Sequence, residues 1–170
     1  MFKRILVPLD GSSFAESVLP TAEMLAKCGS GEIELLRIAI HPSTYAYVSD
    51  AAMLADLYDS DRVHCEAYLK GVADEVAKRS GIRPHTDVVE GIVANTIIDY
   101  ATLTHADLIV MSTHGRTGME RWLLGSVAEK VVRGAHLPVM LIRPQVDAKG
   151  DAASQEHPKT QSSQPDKAIA

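Results

Sequence analysis

The sequence contains only two cysteines, Cys28 and Cys65, which stand far apart and outside any C-x-x-C spacing. This favours two buried, reduced thiols over a disulfide or a redox pair. The seven histidines are scattered, with no pair at metal-ligand spacing on one predicted helix, so no zinc site is expected. No apolar run approaches the roughly 20 residues of a membrane span, and the N-terminus shows no signal-peptide core. We therefore expect a cytoplasmic protein with no membrane segment.

A strong excess of charge is missing as well. The 170 residues carry a formal net charge of −5, so no long-range field attracts nucleic acid or an anionic membrane. Hydrophobic residues make up 46%, which suits one domain with a sizeable core. From residue 145 the composition turns to Ser, Gln, Asp, Lys, Pro and Ala. We predict a folded domain over residues 1–144 and a disordered polar tail over 145–170.

Strand and helix patterns alternate along the domain. Strands are predicted at 5–10, 32–40, 83–90, 107–113 and 139–142, and helices at 13–28, 50–80, 93–103 and 126–135. Short, nearly continuous apolar strands that alternate with helices are typical of a parallel sheet covered on both faces. The sequence therefore predicts an open parallel α/β sheet.

Two of the predicted helices carry local signals. Residues 13–16 (SFAE) form a capping box with Ser13 as the N-cap, and Pro20 behind it predicts a kink or an irregular first turn. In the helix over 50–80, apolar residues at helical spacing are expected to face the core: Val63, Ala67, Val72, Ala73, Val76 and Ala77.

The polar residues that suggest chemistry follow strands one, two and four. Asp10 ends the first strand, a loop follows Ile38 on the second, and 112–115 (STHG) follows the fourth. Ligands of open parallel sheets bind beyond the carboxyl ends of the strands. We therefore expect a ligand site at this edge, although Asp10 could instead serve as a cap for the first helix.

A glycine pattern after strand four indicates a phosphate site. Gly115 is followed by nine residues and then by Gly125-Ser126, which opens a helix. Free N–H groups at a helix start bind anions, and glycine lets a phosphate approach the backbone. The pattern has no P-loop lysine, and the first strand is followed by one glycine rather than a dinucleotide fingerprint. The simpler alternative is a turn followed by an ordinary helix start.

Four segments together resemble the universal stress protein family: 7–12 (VPLDGS), 35–38 (LLRI), 89–91 (VEG) and 111–127. The resemblance covers residues 2 to 144. The defining pattern of that family is Gly-x-x-Gly-x9-Gly-Ser/Thr, and here Ser112 stands where the pattern has its first glycine.

The resemblance implies an adenine nucleotide alpha hydrolase-like sheet of order 3-2-1-4-5 with helices on both faces, and a site for ATP. Asp10 would accept hydrogen bonds from adenine or ribose, and the Ile38 backbone would meet the adenine edge. The phosphates would carry Mg²⁺ and meet backbone N–H groups, with charge added by Arg116 or Arg133. The implied site residues are Asp10, Ile38, Met111, Gly115, Arg116, Gly125, Ser126 and Val127.

The last strand, 139–142 (VMLI), is strongly apolar and lies at a predicted sheet edge. Such an edge invites pairing with another chain, and the resemblance implies a homodimer through it. The function it implies is that of an ATP-binding regulator of stress responses. A slow ATPase or nucleotide-dependent transferase and a nucleotide-free interaction module are the alternatives, with His114 and Trp122 interpreted as loop and packing residues.

Overall fold

The computed structural model describes residues 1–39, 51–113 and 124–143, with the backbone alone over 51–58. Five parallel strands form one sheet in the order β3-β2-β1-β4-β5, which confirms the expected topology. The strands are β1 Arg4–Leu9, β2 Glu32–Ala39, β3 His85–Glu90, β4 Leu108–Ser112 and β5 Val139–Ile142. The helices are α1 Ser13–Glu16, α2 Leu19–Gly29, α3 Ala51–Ser80, α4 Val93–Leu103 and α5 Ser126–Gly134.

The sheet is covered on both faces because its strands are apolar on both. Ile5, Leu6 and Val7 are consecutive in β1, and all three are fully buried. Side chains alternate between faces along a strand, so Ile5 and Val7 join a core that includes residues of α2 and α3. Leu6 joins a second core that includes residues of α4 and α5. This two-sided burial is what a parallel sheet requires.

The first predicted helix is divided in two near Pro20, which agrees with the irregularity expected there. The structure ends α1 at Glu16 and begins α2 at Leu19, with Pro20 in the first turn of α2. A proline is tolerated at that position because its missing N–H would have no helical partner. The capping box was placed one residue late, however. Ser12 is the N-cap, and its Oγ accepts a hydrogen bond of 3.2 Å from the Ala15 amide.

The core-facing side of α3 is also shifted from the predicted one. Val63 is 61% exposed and Ala67 is exposed, whereas Cys65 and Leu69 are buried with Val72, Ala73 and Val76. The buried positions repeat every three or four residues, so the helical period was right and the phase of its first half was wrong.

Three further predictions concern residues that the structure describes. Cys65 is buried but Cys28 is exposed, and both are free thiols, so burial was predicted correctly for only one. Strand β3 starts at His85 rather than at residue 83, because Pro84 cannot donate to the ladder. Within the described residues, no helix is both long and apolar enough to cross a bilayer. The predicted loop at 41–49 and the tail at 145–170 lie outside the described residues.

A polar network fixes α4 against the sheet. The buried Tyr100 hydroxyl lies 2.6 Å from Glu34 Oε1 on β2 and 3.1 Å from Asp87 Oδ2 on β3. One hydroxyl proton serves one acceptor at a time, so the shorter contact to Glu34 is the principal hydrogen bond. Burial is the main cause that raises the pKa of Tyr100, and the hydrogen bond to Glu34 raises it further.

We predict that Tyr100→Phe lowers the free energy of unfolding at pH 7 by about 1–2 kcal/mol, because a carboxylate loses its donor. The folded-state pKa lies above the unfolded value of about 10, so the protonated hydroxyl stabilises the fold fully below pH 10. That stabilisation is lost as the pH rises towards the folded-state pKa. The difference between wild type and variant should therefore shrink by about 1.4 kcal/mol per pH unit above pH 10. Urea unfolding at pH 7, 10 and 11 measures it, and a constant difference would contradict the assignment.

Candidate functional site

The strand register brings the predicted site residues to one edge of the sheet. The β1–β2 ladder ends with Leu9 opposite Arg37, so the next residues, Asp10 and Ile38, lie side by side. The β1–β4 ladder pairs Ile5 with Leu108 and Leu6 with Ile109, so the two strands run in the same direction and their carboxyl ends lie at the same edge. Adjacent strands lie about 4.8 Å apart. The carboxyl ends of β2, β1 and β4 therefore present a continuous edge.

Asp10 organises the turn that connects β1 to α1. Gly11 adopts a φ of 83°, a left-handed conformation that glycine accepts without a steric cost. Asp10 Oδ1 accepts hydrogen bonds from the Ser12 amide at 3.0 Å and the Ser12 hydroxyl at 2.5 Å. The alternative role for Asp10 as the cap of α1 is therefore wrong, because Ser12 is the cap and Asp10 orients it. The carboxylate is half-buried at the sheet edge.

The start of α5 is anchored to the end of β4. The Gly125 amide donates to the Thr113 carbonyl at 2.8 Å, and the Thr113 amide donates to Ile142 of β5 at 3.0 Å. The Glu129 amide bonds to the Gly125 carbonyl at 2.9 Å and is the donor of the first full α-helical turn. Gly125 is the N-cap and offers no side-chain hydrogen bond to the helix.

Three backbone amides therefore precede the first α-helical hydrogen bond of α5, those of Ser126, Val127 and Ala128. Ser126 is exposed, Val127 is half-buried and Ala128 is 3% exposed. The first amides of a helix also carry the positive end of its dipole. This end of α5 is thus suited to a negatively charged group.

The apolar residues of the predicted site form its floor. Met111 is 6% exposed, and Ile38 is half-buried and packs against the same core as Met111. Ser112, which replaces the first glycine of the family pattern, is buried at the end of β4. Its side chain is therefore enclosed by protein rather than exposed at the edge.

Two predicted phosphate contacts, Gly115 and Arg116, lie outside the described residues, as do His114 and Trp122. Arg133 is placed by the structure. It lies in the last turn of α5, about 10 Å along the axis from Ser126 at 1.5 Å per residue, and pairs with Glu129 at 3.0 Å. Its suggested role as a phosphate-binding charge is wrong, because it occupies the opposite end of the helix.

Two residues that contact the ends of the Asp10 turn were not predicted from the sequence, Arg37 and Tyr68. The Arg37 guanidinium lies 5.7 Å from the centroid of the Tyr68 ring, and Nη1 donates to the Leu9 carbonyl at 3.2 Å. The Tyr68 hydroxyl donates to Glu16 at 2.8 Å. Burial, and then this hydrogen bond, raise the pKa of Tyr68. Arg37 could have been noticed in the sequence, because it is a charged residue within a strand that was expected to be buried on both faces.

Metal-binding groups do not add to this picture. Over the ranges that the structure describes, no three His, Cys, Asp or Glu side chains are grouped as a metal site would need. The described residues at this edge supply a carboxylate acceptor, Asp10, and the amide donors that open α5.

Comparison with known proteins identifies the family. The model of the universal stress protein family matches residues 1–143. Over 145 residues the chain is 32% identical to universal stress protein MJ0531 of Methanocaldococcus jannaschii, covering 84% of this chain and 83% of that protein. The solved structure of hypothetical protein MJ0577 is 25% identical, with a TM-score of 0.75, and the match covers 85% of this chain and 98% of that one. Universal stress protein UspA from Lactobacillus plantarum is 28% identical with a TM-score of 0.71, covering 83% and 97%.

Two other structures share the fold at 20% identity and were solved with nucleotides. A universal stress protein in complex with cAMP has a TM-score of 0.59, covering 83% of this chain and 96% of that one. The universal stress protein from Archaeoglobus fulgidus in complex with dAMP has a TM-score of 0.61, covering 82% and 96%. The family model, the sequence identity and the shared topology agree, and the chain belongs to the universal stress protein family.

Proposed function

We propose that the chain binds ATP across the carboxyl edge of β2, β1 and β4. The observation that carries this proposal is the hydrogen bond from the Gly125 amide to the Thr113 carbonyl, which holds the start of α5 at the end of β4. Since β4 is a parallel neighbour of β1, the Asp10 acceptor and the amide donors that open α5 lie at the same edge of the sheet. A nucleotide carries both kinds of partner, with donors on its adenosine and acceptors on its phosphates.

The adenosine would lie over the ends of β1 and β2. Asp10 accepts two hydrogen bonds from Ser12 through Oδ1, and the oxygens of a carboxylate accept bonds from hydroxyl and amino donors. Ribose hydroxyls or the adenine amino group would supply those donors. The backbone at Ile38, beside Asp10 and above the floor formed by Met111, would meet the adenine ring.

The phosphates would lie at the start of α5. The chain has a net charge of −5, so an anion must be held by local dipoles rather than by the overall field. The amides of Ser126 and Val127 are the donors we assign, with the Ser126 hydroxyl as a further one. Gly115 and Arg116 complete the phosphate contacts in this proposal, and Mg²⁺ would ride on the phosphates themselves.

The nucleotides in the two distant structures of the same fold, cAMP and dAMP, support an adenine nucleotide as the ligand class. We assign ATP within that class because the resemblance to the universal stress protein family implies a site for ATP. We propose that binding serves stress-response regulation in the cytoplasm. Asp10 is held by Ser12 as a fixed acceptor, which suits recognition better than a base that must take up a proton.

The amide of Ser126 can be removed without breaking the helix. Ser126 is the first residue of α5, where proline is well tolerated, and Gly125 has φ −59° and ψ 146°, a conformation that a following proline favours. We predict that Ser126→Pro weakens ATP binding about tenfold or more, because a charge-assisted hydrogen bond is worth about 1.5–3 kcal/mol. Isothermal titration calorimetry with MgATP measures the loss.

Ser126→Ala is the matched control, since it removes the hydroxyl and keeps the amide. It should weaken binding less than Ser126→Pro does, because Ser126→Pro loses the amide donor as well as the hydroxyl, and both donate to a charged phosphate. Thermal unfolding of both variants should stay close to that of wild type. If Ser126→Pro binds ATP as tightly as wild type, the phosphates do not lie at this helix end.

We also propose that the protein forms a homodimer through β5. This strand ends the described sheet on one side, and all four of its residues, Val139–Ile142, are half-buried in the single chain. An apolar edge strand that no further strand covers favours pairing with a second copy of itself. Pairing two such edges would extend the sheet and bury the remaining apolar surface.

A lysine on β5 tests the dimer, because charged side chains on an edge strand oppose edge pairing. We predict that wild type sediments as a dimer at micromolar concentration and that Leu141→Lys sediments as a monomer. Leu103→Lys is the control, since Leu103 is 77% exposed on α4, away from β5, and should leave the dimer intact. A wild-type monomer in analytical ultracentrifugation at about 100 μM would contradict the proposal.

A further inference from the structure

Arg37 is a charged side chain on a face of the sheet that otherwise carries core residues, where burying a charge is unfavourable. It lies on β2 between the buried Leu36 and the floor residue Ile38, on the face that carries Leu35 and Ala39. Its Nε–H is buried and has no hydrogen-bond partner in the part of the chain that the structure describes. A buried donor without a partner destabilises a fold. Its Nη1–H, by contrast, donates to the Leu9 carbonyl at 3.2 Å, directly before Asp10.

The ring of Tyr68, on α3, holds the Arg37 guanidinium in place. The ring lies 5.7 Å from the Arg37 guanidinium carbon, within the range of a cation–π contact. The Tyr68 hydroxyl donates to Glu16 Oε1 at 2.8 Å. Glu16 is the last residue of α1, the short helix that follows the Asp10 turn. Arg37 and Tyr68 are thus stacked on each other while each bonds to a different side of that turn.

The two contacts bracket residues 10–12. Leu9 is held by Arg37 before the turn and Glu16 by Tyr68 after it. Between them, Asp10 and Ser12 are joined to each other by two hydrogen bonds. An element that is fixed at both ends before a ligand arrives does not have to be ordered by the ligand, which strengthens binding.

We propose that Arg37 and Tyr68 form a clamp that positions the Asp10 turn for nucleotide binding, an inference that rests on the proposed function of that edge. Both are positioning residues, because they act through Leu9 and Glu16 and not by touching the nucleotide. The clamp also accounts for why a charged residue occupies position 37, on the face of β2 that carries the buried Leu35 and Ala39.

The first test needs no nucleotide. The Ser12 amide bonds to Asp10 and the Ala15 amide bonds to Ser12, so their hydrogen exchange reports the order of the turn. We expect Arg37→Met, which keeps the apolar stem and removes the donors, to speed exchange of both amides about tenfold in the free protein. Tyr68→Phe keeps the ring and loses the bond to Glu16, and should have a smaller effect of the same sign. Arg37→Lys keeps the charge over the ring and should restore part of the protection.

The matched control is Arg79→Met. Arg79 of α3 pairs with the buried Glu23 of α2 and, like Arg37, joins elements on the same face of the sheet, but it does not contact the Asp10 turn. Loss of this pair should lower the melting temperature and leave the exchange of Ser12 and Ala15 unchanged relative to other amides. If Arg37→Met and Arg79→Met speed these two amides equally, Arg37 acts only on global stability and the clamp is refuted.

The second test is a double-mutant cycle on MgATP affinity. We expect Arg37→Met alone to weaken binding about three- to tenfold, and to add less than twofold when Asp10 is already Ala. An equal loss in both backgrounds would show that Arg37 acts independently of Asp10 and would overturn the proposal.

The two tests separate the clamp from the proposed function. A wild-type protein that binds no ATP contradicts the function, while amide exchange in the free protein still decides whether the clamp exists. If Arg37→Met does not fold, the same measurements on Arg37→Lys and Tyr68→Phe decide it. Wild-type exchange rates at Ser12 and Ala15 in both would rule the clamp out.

Discussion

The hydrogen bond between the Gly125 amide and the Thr113 carbonyl determines where α5 begins, and the candidate site depends on that position. Thr113 itself is bonded to Ile142, so the helix start is fixed to β4 and, through it, to β5. Because β4 runs parallel to β1, Thr113 and Asp10 follow their strands at the same edge of the sheet. If α5 started elsewhere, its amide donors and the Asp10 carboxylate would no longer share one edge.

The two-sided core explains why this edge can be held in place by short polar links. Helices of both layers pack against β1, whose Ile5, Leu6 and Val7 are fully buried, so the strand ends have little freedom to move. The hydrogen bonds at this edge therefore orient the residues of the candidate site more than they stabilise the fold. The Ser12 bonds orient Asp10, and the contact of Arg37 with Leu9 fixes the residue before it.

The sequence predicted the elements of the fold because their signals are local or periodic. The bounds of α4 and β5 agree with the structure residue by residue, and the sheet order follows from the family resemblance. Local signals also predicted the wrong N-cap of α1, because two neighbouring residues were equally suitable for that position. Ser12 and Ser13 are both good N-caps, and only the Asp10 carboxylate, which bonds to the Ser12 hydroxyl, selects between them.

The site was harder to predict than the fold because its parts are distant in sequence. Asp10 and the start of α5 were predicted as site residues from strand ends and glycine spacing. The clamp could not, because Arg37 and Tyr68 lie on a strand and a helix whose contact depends on tertiary packing. The same limit explains the error at Arg133, whose position at the far end of α5 follows from helix geometry once the helix start is known.

In our proposal, the amides that open α5 and the Asp10 carboxylate hold one adenine nucleotide. The most direct measurement is a titration of ¹⁵N-labelled protein with MgATP, followed by the amide chemical shifts of the backbone. We expect saturable shifts that are largest at Ser126, Val127 and the turn from Asp10 to Ser12. Shifts that are absent at millimolar MgATP, or that cluster on another surface, would contradict it.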